Sequence, residues 1–297
     1  MAILRALFRS ERQVQRTQRA NQKGQVMSSN IVLSAGVRTN LLQLQRTADL
    51  ISITQTRLAT GKRVNTALDN PTNFFTAAAL NSRASDLNNL LDSMGTAIKT
   101  LEAADNGISS ITKLVESAQS LARQALQTTD LTERSSLGTQ FDALRTQIDQ
   151  LAADAGFNGK NLLDGDDLDV VFNEDGTSSL TITGVTFDSA GLAIDGAVAN
   201  WAGDADIDAA LADLTAGLTK LRSQSKTFGS NLSTVQTRQD FTKSMINTLR
   251  TGADNLTLAD PNEEGANLLA LQTRQQLSTT ALSLAAQADQ NVLRLFG

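Results

Sequence analysis

Cysteine, histidine and tyrosine are absent from the 297 residues, and prolines number two and tryptophan one, with aromatics at 4%. Without cysteine there is no disulfide framework, and the redox compartment is not readable from thiol usage. Without histidine as well, Ser-His-Asp and Cys-His nucleophile systems, the HExxH zinc site and Cys/His zinc clusters are all impossible. Neither the dinucleotide motif GxGxxG nor the phosphate loop GxxxxGK[ST] occurs. Carboxylate or lysine chemistry is all that remains to an enzyme, so the chain reads as a non-enzyme with no cofactor and no metal. No run reaches the roughly 18 apolar residues of a membrane span. The first residues make a poor secretory signal, because Arg5 splits Ile3-Leu4 from Ala6-Leu7-Phe8 and no small-residue cleavage site follows.

Leu, Ala, Gln, Ser, Thr, Asn and Asp dominate instead, a mixture suited to long helices with polar outer faces. Between Pro71 and Pro261 the strongest helix breaker never occurs. The net charge is −5 but uneven: residues 1–26 carry Arg5, Arg9, Arg12, Arg16, Arg19 and Lys23 against Glu11 alone, net +5, which leaves −10 for the rest. An acidic body argues against nucleic acid as the main partner. The basic residues of 1–26 recur every three or four positions, as on one helical face. That fits an amphipathic, anion-seeking segment. The plainer reading is preferred: a solvated arm, or an upstream extension ahead of a working start at Met27, because the pattern after Met27 reads as a complete protein.

From Leu41 the apolar positions step as Leu41, Leu44, Ala48, Ile51 and Leu58, with Gln55 in the series, a heptad stripe that ends at Gly61-Lys62-Arg63 and Asp69-Asn70-Pro71. A long helix over about 72–128 follows. Its seam is Leu87, Leu91, Met94, Ile98, Leu101, Ala104, Ile108, Ile111, Val115, Ala118, Ala122 and Ala125. Asp130 and Glu133 form a capping pair for a helix over 131–153, with Leu137, Phe141, Leu144, Ile148 and Leu151 inward. Gly156-Phe157-Asn158-Gly159 ends the helical part. Val170-Val171-Phe172, Leu180-Thr181-Ile182, Val185-Thr186-Phe187 and Leu192-Ala193-Ile194 are short β-type runs separated by turn residues, so hairpins are expected. The cleanest periodicity runs from Ile207 through Leu211, Leu214, Leu218, Leu221, Ser225, Phe228, Leu232, Val235, Gln239, Thr242 and Ile246 to Leu249. It predicts a coiled-coil helix of about 45 residues, on the order of 65 Å. A last helix covers roughly 263–296, its apolar positions including Leu268, Leu271, Leu277, Ala281, Leu284, Ala288, Val292 and Leu295.

The fold class that follows is mainly α. Antiparallel coiled-coil helices come from the N- and C-terminal segments, with a small β-hairpin insert at the tip. Residues 1–27 form the basic extension and 28–70 with 262–297 a terminal coiled-coil core. Residues 71–164 with 205–261 form a helical bundle, and 165–204 the insert. Two terminal helices paired only with each other leave much Leu and Ala surface wet, and each CH₂ left in water forgoes about 0.8 kcal/mol. A head-to-tail repeat that does not close builds a helical filament, so the pattern points to self-association.

Three motifs carry a family likeness. Leu58-Ala59-Thr60-Gly61-Lys62-Arg63-Val64-Asn65 with Asp69-Asn70-Pro71 closely resembles the N-terminal signature of bacterial flagellin. Gly156-Phe157-Asn158-Gly159-Lys160-Asn161-Leu162-Leu163 is similar to the motif that closes the flagellin N-terminal helical region. Ala281-Leu282-Ser283-Leu284-Ala285-Ala286-Gln287-Ala288 with Val292-Leu293-Arg294-Leu295-Phe296 looks like the flagellin C-terminus. The resemblance implies a short flagellin with a reduced variable region, secreted into an extracellular filament without a conventional signal. It implies terminal helices lining the central channel, long helices around them and the insert facing outward. Its partners are further copies of itself, the flagellar export apparatus, an export chaperone and the filament cap. Leu41, Leu44, Ile51 and Leu58 are then expected in the innermost layer with Leu277, Ala281, Leu284, Ala288, Val292 and Leu295. The linker motif is Gly61, Lys62, Arg63, Asn65, Asp69, Asn70 and Pro71. In many family members an innate immune receptor reads an Arg and a Glu in the stretch aligned with Ser120–Gln127. Ala122 and Arg123 stand there, which predicts weak receptor activation. A hook–filament junction protein is the nearest alternative, and a secreted adhesin a remote one.

Other signals read as surface. Asp164, Asp166, Asp167 and Asp169 fail the EF-hand pattern because Leu168 stands at the third ligand position, and they read as a solvated acidic turn. Asn231-Leu232-Ser233 and Asn255-Leu256-Thr257 match the N-glycosylation pattern but lie on expected helices. Thr177, Ser178, Ser179 and Ser189 are O-glycosylation candidates by location, as the family resemblance implies. Lys62 and Arg63 read equally as subunit salt-bridge partners or as solvation of the link.

Overall fold

The computed structural model describes residues 35–296, so the basic extension 1–27 and residues 28–34 lie outside it. The chain divides into two compact units, residues 70–256 and a terminal unit of residues up to 69 with those from 257 onward.

In the larger unit, helix α2 spans Pro71–Gln127 and α5 spans Asp204–Thr257, the last residue of α5 falling in the other unit. Asn70 caps α2, its Oδ1 accepting the Asn73 N–H at 3.0 Å, and Pro71 takes the first helical position, where no N–H is needed. Side-chain bonds from Asn73 to Leu256 (3.4 Å), Ser225 to Asp105 (2.9 Å) and Gln119 to Thr215 (3.3 Å) show the two helices running antiparallel. Along α2 every expected seam position is buried except Leu91, which is half-buried. Along α5, Ile207, Leu214, Leu218, Leu221, Phe228, Val235, Thr242, Ile246 and Leu249 are buried, while Leu211, Ser225, Leu232 and Gln239 lie at the seam's margin.

Helix α3, Leu131–Asp154, folds back along α2. Asp130 caps it through the Thr132 N–H (2.9 Å). The expected reciprocal bond is not made: Glu133 accepts the Thr128 hydroxyl (2.8 Å), and the Asp130 N–H goes to that same oxygen (3.2 Å). Off its seam α2 carries further buried positions, Ala97, Thr100 and Gly107, the last beside the end of α3. A Cβ at Gly107 would lie 2.7 Å from both Ala155 Cβ and Leu163 Cδ1, so only glycine admits this approach.

Of the four β-type runs, two pair. Strands β1, Leu168–Val171, and β2, Ser179–Ile182, form an antiparallel hairpin with Val170 opposite Leu180 and with Val170 and Ile182 buried. The Val185 and Phe187 N–H groups bond instead to the Leu162 and Leu163 carbonyls (2.8 and 2.9 Å), an extended pairing too short to count as a strand. Leu192 falls in a single helical turn, α4, Ser189–Leu192, because Asp188 caps it through the Gly191 N–H (2.6 Å). The insert leaves the helical core beside Gly107 and returns to it where Arg134 meets Asp204, and the hairpin itself runs back along α2. Glu174 in its turn pairs with Arg83, and Phe172 lies under the Arg238 guanidinium at 5.2 Å. The chain then climbs beside α3. Arg145 donates to the Ile194 carbonyl (2.9 Å), Asp149 accepts the Ser189 N–H (2.6 Å), and Trp201 packs on Phe141 with ring centroids 5.0 Å apart. Buried Arg134 closes this limb onto Asp204 at 2.6 Å.

The terminal unit is simpler. Helix α1, Ala35–Thr60, lies against α6, Pro261–Phe296. Asp260 caps α6 through the Asn262 N–H (2.8 Å), and Pro261 follows the cap. At this end the pair is fastened by an Arg57–Glu264 ion pair (3.0 Å), a bridge between Lys62 and Leu258, and the Ala259 N–H bonded to the Gly61 carbonyl (3.0 Å).

Candidate polymerisation surface

The expected inner-layer residues do not share one environment. On α1 the line nearest α6 is Val37, Leu44, Thr47, Ile51, Thr54 and Leu58, of which Val37, Thr47 and Thr54 are buried and the three aliphatics half-buried. Leu44, Ile51 and Leu58 are thus brought to the helix pair, whereas Leu41 is 39% exposed at its margin. On α6 the covered line is Glu264, Leu268, Leu271, Gln275, Ser278, Leu282 and Ala285, spaced alternately by four and three. Leu277, Ala281, Leu284 and Ala288 lie on another face, turned by roughly 120° at 100° per residue. Leu277 is 66% and Leu284 62% exposed. The side chains of Val292 and Leu295 lie outside the described residues.

Sequence reasoning missed Leu42, Leu50, Ile53 and Leu269, all exposed aliphatics of the same unit. A single apolar stripe per helix does not include them, because each of these helices carries a second apolar line outside the one its partner covers. The signal was present in the spacing of Leu42, Leu50 and Ile53, which share an α1 face. Burying a leucine is worth about 1.5–3 kcal/mol, and these side chains hold much of that gain in reserve. Only a neighbouring apolar surface can realise it.

The linker motif is built as a turn. Gly61 has φ +67° with open space around a would-be Cβ, so its requirement is conformational. The Arg63 N–H bonds the Thr257 carbonyl (2.7 Å), and Val64 is buried. Asp69 Oδ2 accepts the Thr66 N–H (2.8 Å) and the Asn65 N–H (3.0 Å), while Asn65 Nδ2 donates to the Lys62 carbonyl (2.9 Å). The Thr66 backbone bond, then that of Asn65, holds the Asp69 carboxyl below the ordinary aspartate range. Among the described residues neither Lys62 nor Arg63 has an ion-pair partner, and both side chains are exposed. In the stretch Ser120–Gln127, Ala122 is fully buried against the core, whereas Arg123 is exposed, as are Ser120, Gln124 and Gln127.

Three of the four clustered aspartates are engaged locally. Asp166 accepts the Asn161 N–H (2.9 Å), Asp167 the Gly184 N–H (3.0 Å) and Asp169 the Thr181 hydroxyl (2.6 Å). Among the described residues no group of three or more His, Cys, Asp or Glu is arranged to hold a metal ion, and no helix is long and apolar enough to cross a membrane.

Residues 28–167 match the bacterial flagellin N-terminal helical region, and residues 206–296 match the bacterial flagellin C-terminal helical region. The unmatched stretch between them is the hairpin and its return limb. Flagellin FljK of Caulobacter vibrioides is 32% identical over 277 residues, covering 90% of this chain and 98% of that relative. Flagellin FljM of the same organism is 30% identical over 271 residues, with 90% and 98% covered. A flagellin of Brucella melitensis is 26% identical over 280 residues, with 90% and 99% covered. A crystal structure of Bacillus cereus flagellin aligns at a TM-score of 0.44 and 24% identity, covering 52% of this chain and 88% of that one. The two regional matches in their proper order, with a 32% identical relative spanned almost from end to end, carry the assignment: this chain belongs to the bacterial flagellin family.

Proposed function

We propose that the chain is the structural subunit of a flagellar filament, assembling with copies of itself outside the cell and serving motility. The observation that carries this reading is the terminal helix pair, which leaves Leu277 and Leu284 about two-thirds exposed on a face α1 does not cover. A monomer gains nothing from that face, and a polymer buries it. Residues 28–70 with 262–297 act as the filament's inner layer, and residues 71–164 with 205–261 as the shell around it. The polymerising residues are Leu41, Leu44, Ile51, Leu58, Leu277, Ala281, Leu284, Ala288, Val292 and Leu295, joined by Leu42, Leu50, Ile53 and Leu269. Export apparatus, chaperone and cap are its transient partners. Its role is mechanical rather than catalytic. Buried Ala122, in the stretch the immune receptor reads in many family members, supports weak receptor activation.

Deleting residues 281–297 abolishes polymerisation, read by sedimentation and negative-stain imaging, while the 70–256 unit keeps its thermal transition by circular dichroism. Normal filaments from the truncated chain would overturn the reading.

A further inference from the structure

From Asn161 to Thr219 the chain carries twelve acidic residues and no basic one. This block forms the insert and the start of α5. Across the helices from it, α2 and α5 frame a groove of about 550 Å³ lined by Asp105, Lys113, Glu116, Arg222, Ser225 and Lys226 among others. The insert packs where Gly107 of α2 and Gly217 of α5 face it. Lys113 and Glu116 lie six and nine residues beyond Gly107, and Arg222 and Lys226 five and nine beyond Gly217. At 100° per residue all four are turned roughly 140–240° away from the insert. The groove therefore opens on the opposite flank of the same unit.

Its charges are not satisfied within the chain. Among the described residues no carboxylate lies within 4 Å of Lys113, Arg222 or Lys226. Asp105 is engaged, accepting the Ser225 hydroxyl at 2.9 Å. On one flank the unit thus presents a groove whose three cations outnumber its two carboxylates, Asp105 and Glu116, and on the other it exposes Asp164 and Asp167. Complementary patches on different faces of one molecule define a heterologous contact, the kind that repeats without closing.

We propose that this groove receives the acidic loop Asp164–Asp169 of a second copy, with Lys113, Arg222 and Lys226 facing its carboxylates. The proposal rests on the filament reading and adds an electrostatic contact to the apolar one. Single exposed ion pairs are weak. Here each subunit gives and receives the same set, and correct register brings unlike charges together while a slipped register opposes like ones.

The test is seeded growth of the full-length chain at low and high salt, with critical concentration measured by sedimentation. Arg222→Glu with Lys226→Glu raises the critical concentration about tenfold in low salt, and adding Asp164→Lys with Asp167→Lys to that chain restores it to within about threefold. In about 0.5 M NaCl the differences shrink, because screening then acts within a few ångströms. Unchanged growth of the groove variant overturns the proposal, as does a swapped chain no better than the groove variant. Should the double substitution fail to fold, Lys113→Glu gives the same reading with a smaller rise. A wild-type chain that forms no filament at all defeats the filament reading itself, a different result from growth that ignores the charges.

Discussion

Residues 70–256 and the terminal pair are both made of heptad-spaced helices, yet they bury their apolar surface to different depths. Of the 39 buried hydrophobic residues among those described, only Val37 and Val64 belong to the terminal unit. In the larger unit a third helix and the insert cover the two-helix seam, so Met94, Ile111, Val115 and Phe141 lose all contact with water. Among the described residues the terminal pair has no third layer. Two helices can bury one stripe each, and the second stripe waits for neighbours. The same periodicity therefore marks a finished core in one region and an unfinished one in the other.

That contrast can be broken by substitution. Phe141→Ala in the finished core costs about 3–5 kcal/mol, read by urea unfolding of the larger unit. Leu277→Ala in the unfinished one changes monomer stability by less than about 0.5 kcal/mol while impairing filament growth. Equal destabilisation by the two, or undisturbed growth of the second, would erase the distinction. Within α2 two glycines sharpen it further. Gly107→Ala forces a methyl against Ala155 and Leu163 and destabilises by about 1–3 kcal/mol. Gly95→Ala meets nothing within 4 Å and stabilises by up to about 1 kcal/mol. Thermal melts of the two variants moving in the same direction would contradict this packing.

The smallest effect lies in the link. A lowered carboxyl pKa means that the folded turn prefers ionised Asp69, so the stabilisation is present above the ordinary aspartate range and is lost as pH falls through the lowered value. Amide resonances of Asn65 and Thr66 should hold steady through the ordinary range and move only below it. Movement at or above the usual aspartate pKa would show that the carboxylate does not hold this turn.

Much of this was readable from spacing. The seams of α2 and α5 were legible because apolar residues mark them almost without interruption. The covered line of α6 was legible only at Leu268 and Leu271, because beyond them Gln275 and Ser278 occupy it while the conspicuous leucines Leu277 and Leu284 face away. The insert was legible as turn-rich, but spacing alone could not separate the pairing runs from Val185-Thr186-Phe187, whose N–H groups bond a loop carbonyl, or from Leu192, drawn into a helical turn by the Asp188 cap. Likewise Asp130 and Glu133 sit at capping spacing, but the Thr128 hydroxyl engages both the Glu133 carboxylate and the Asp130 N–H, so the reciprocal bond between them is not made. Such choices depend on groups distant in sequence or off the period, and no pattern window contains them.

One consequence follows from the threonines at the centre of the α1–α6 contact. Thr47 and Thr54 supply no interlocking aliphatic knobs, and the Thr47 hydroxyl turns back to its own helix, bonding the Gln43 carbonyl at 2.9 Å. The ion pair, the Lys62–Leu258 bridge and the Gly61 bond all sit at one end. The middle of the contact is therefore thin in aliphatic packing although Val37 is buried nearer the open end, so the outward leucines Leu42, Leu50, Leu277 and Leu284 hold the larger apolar reserve of this helix pair.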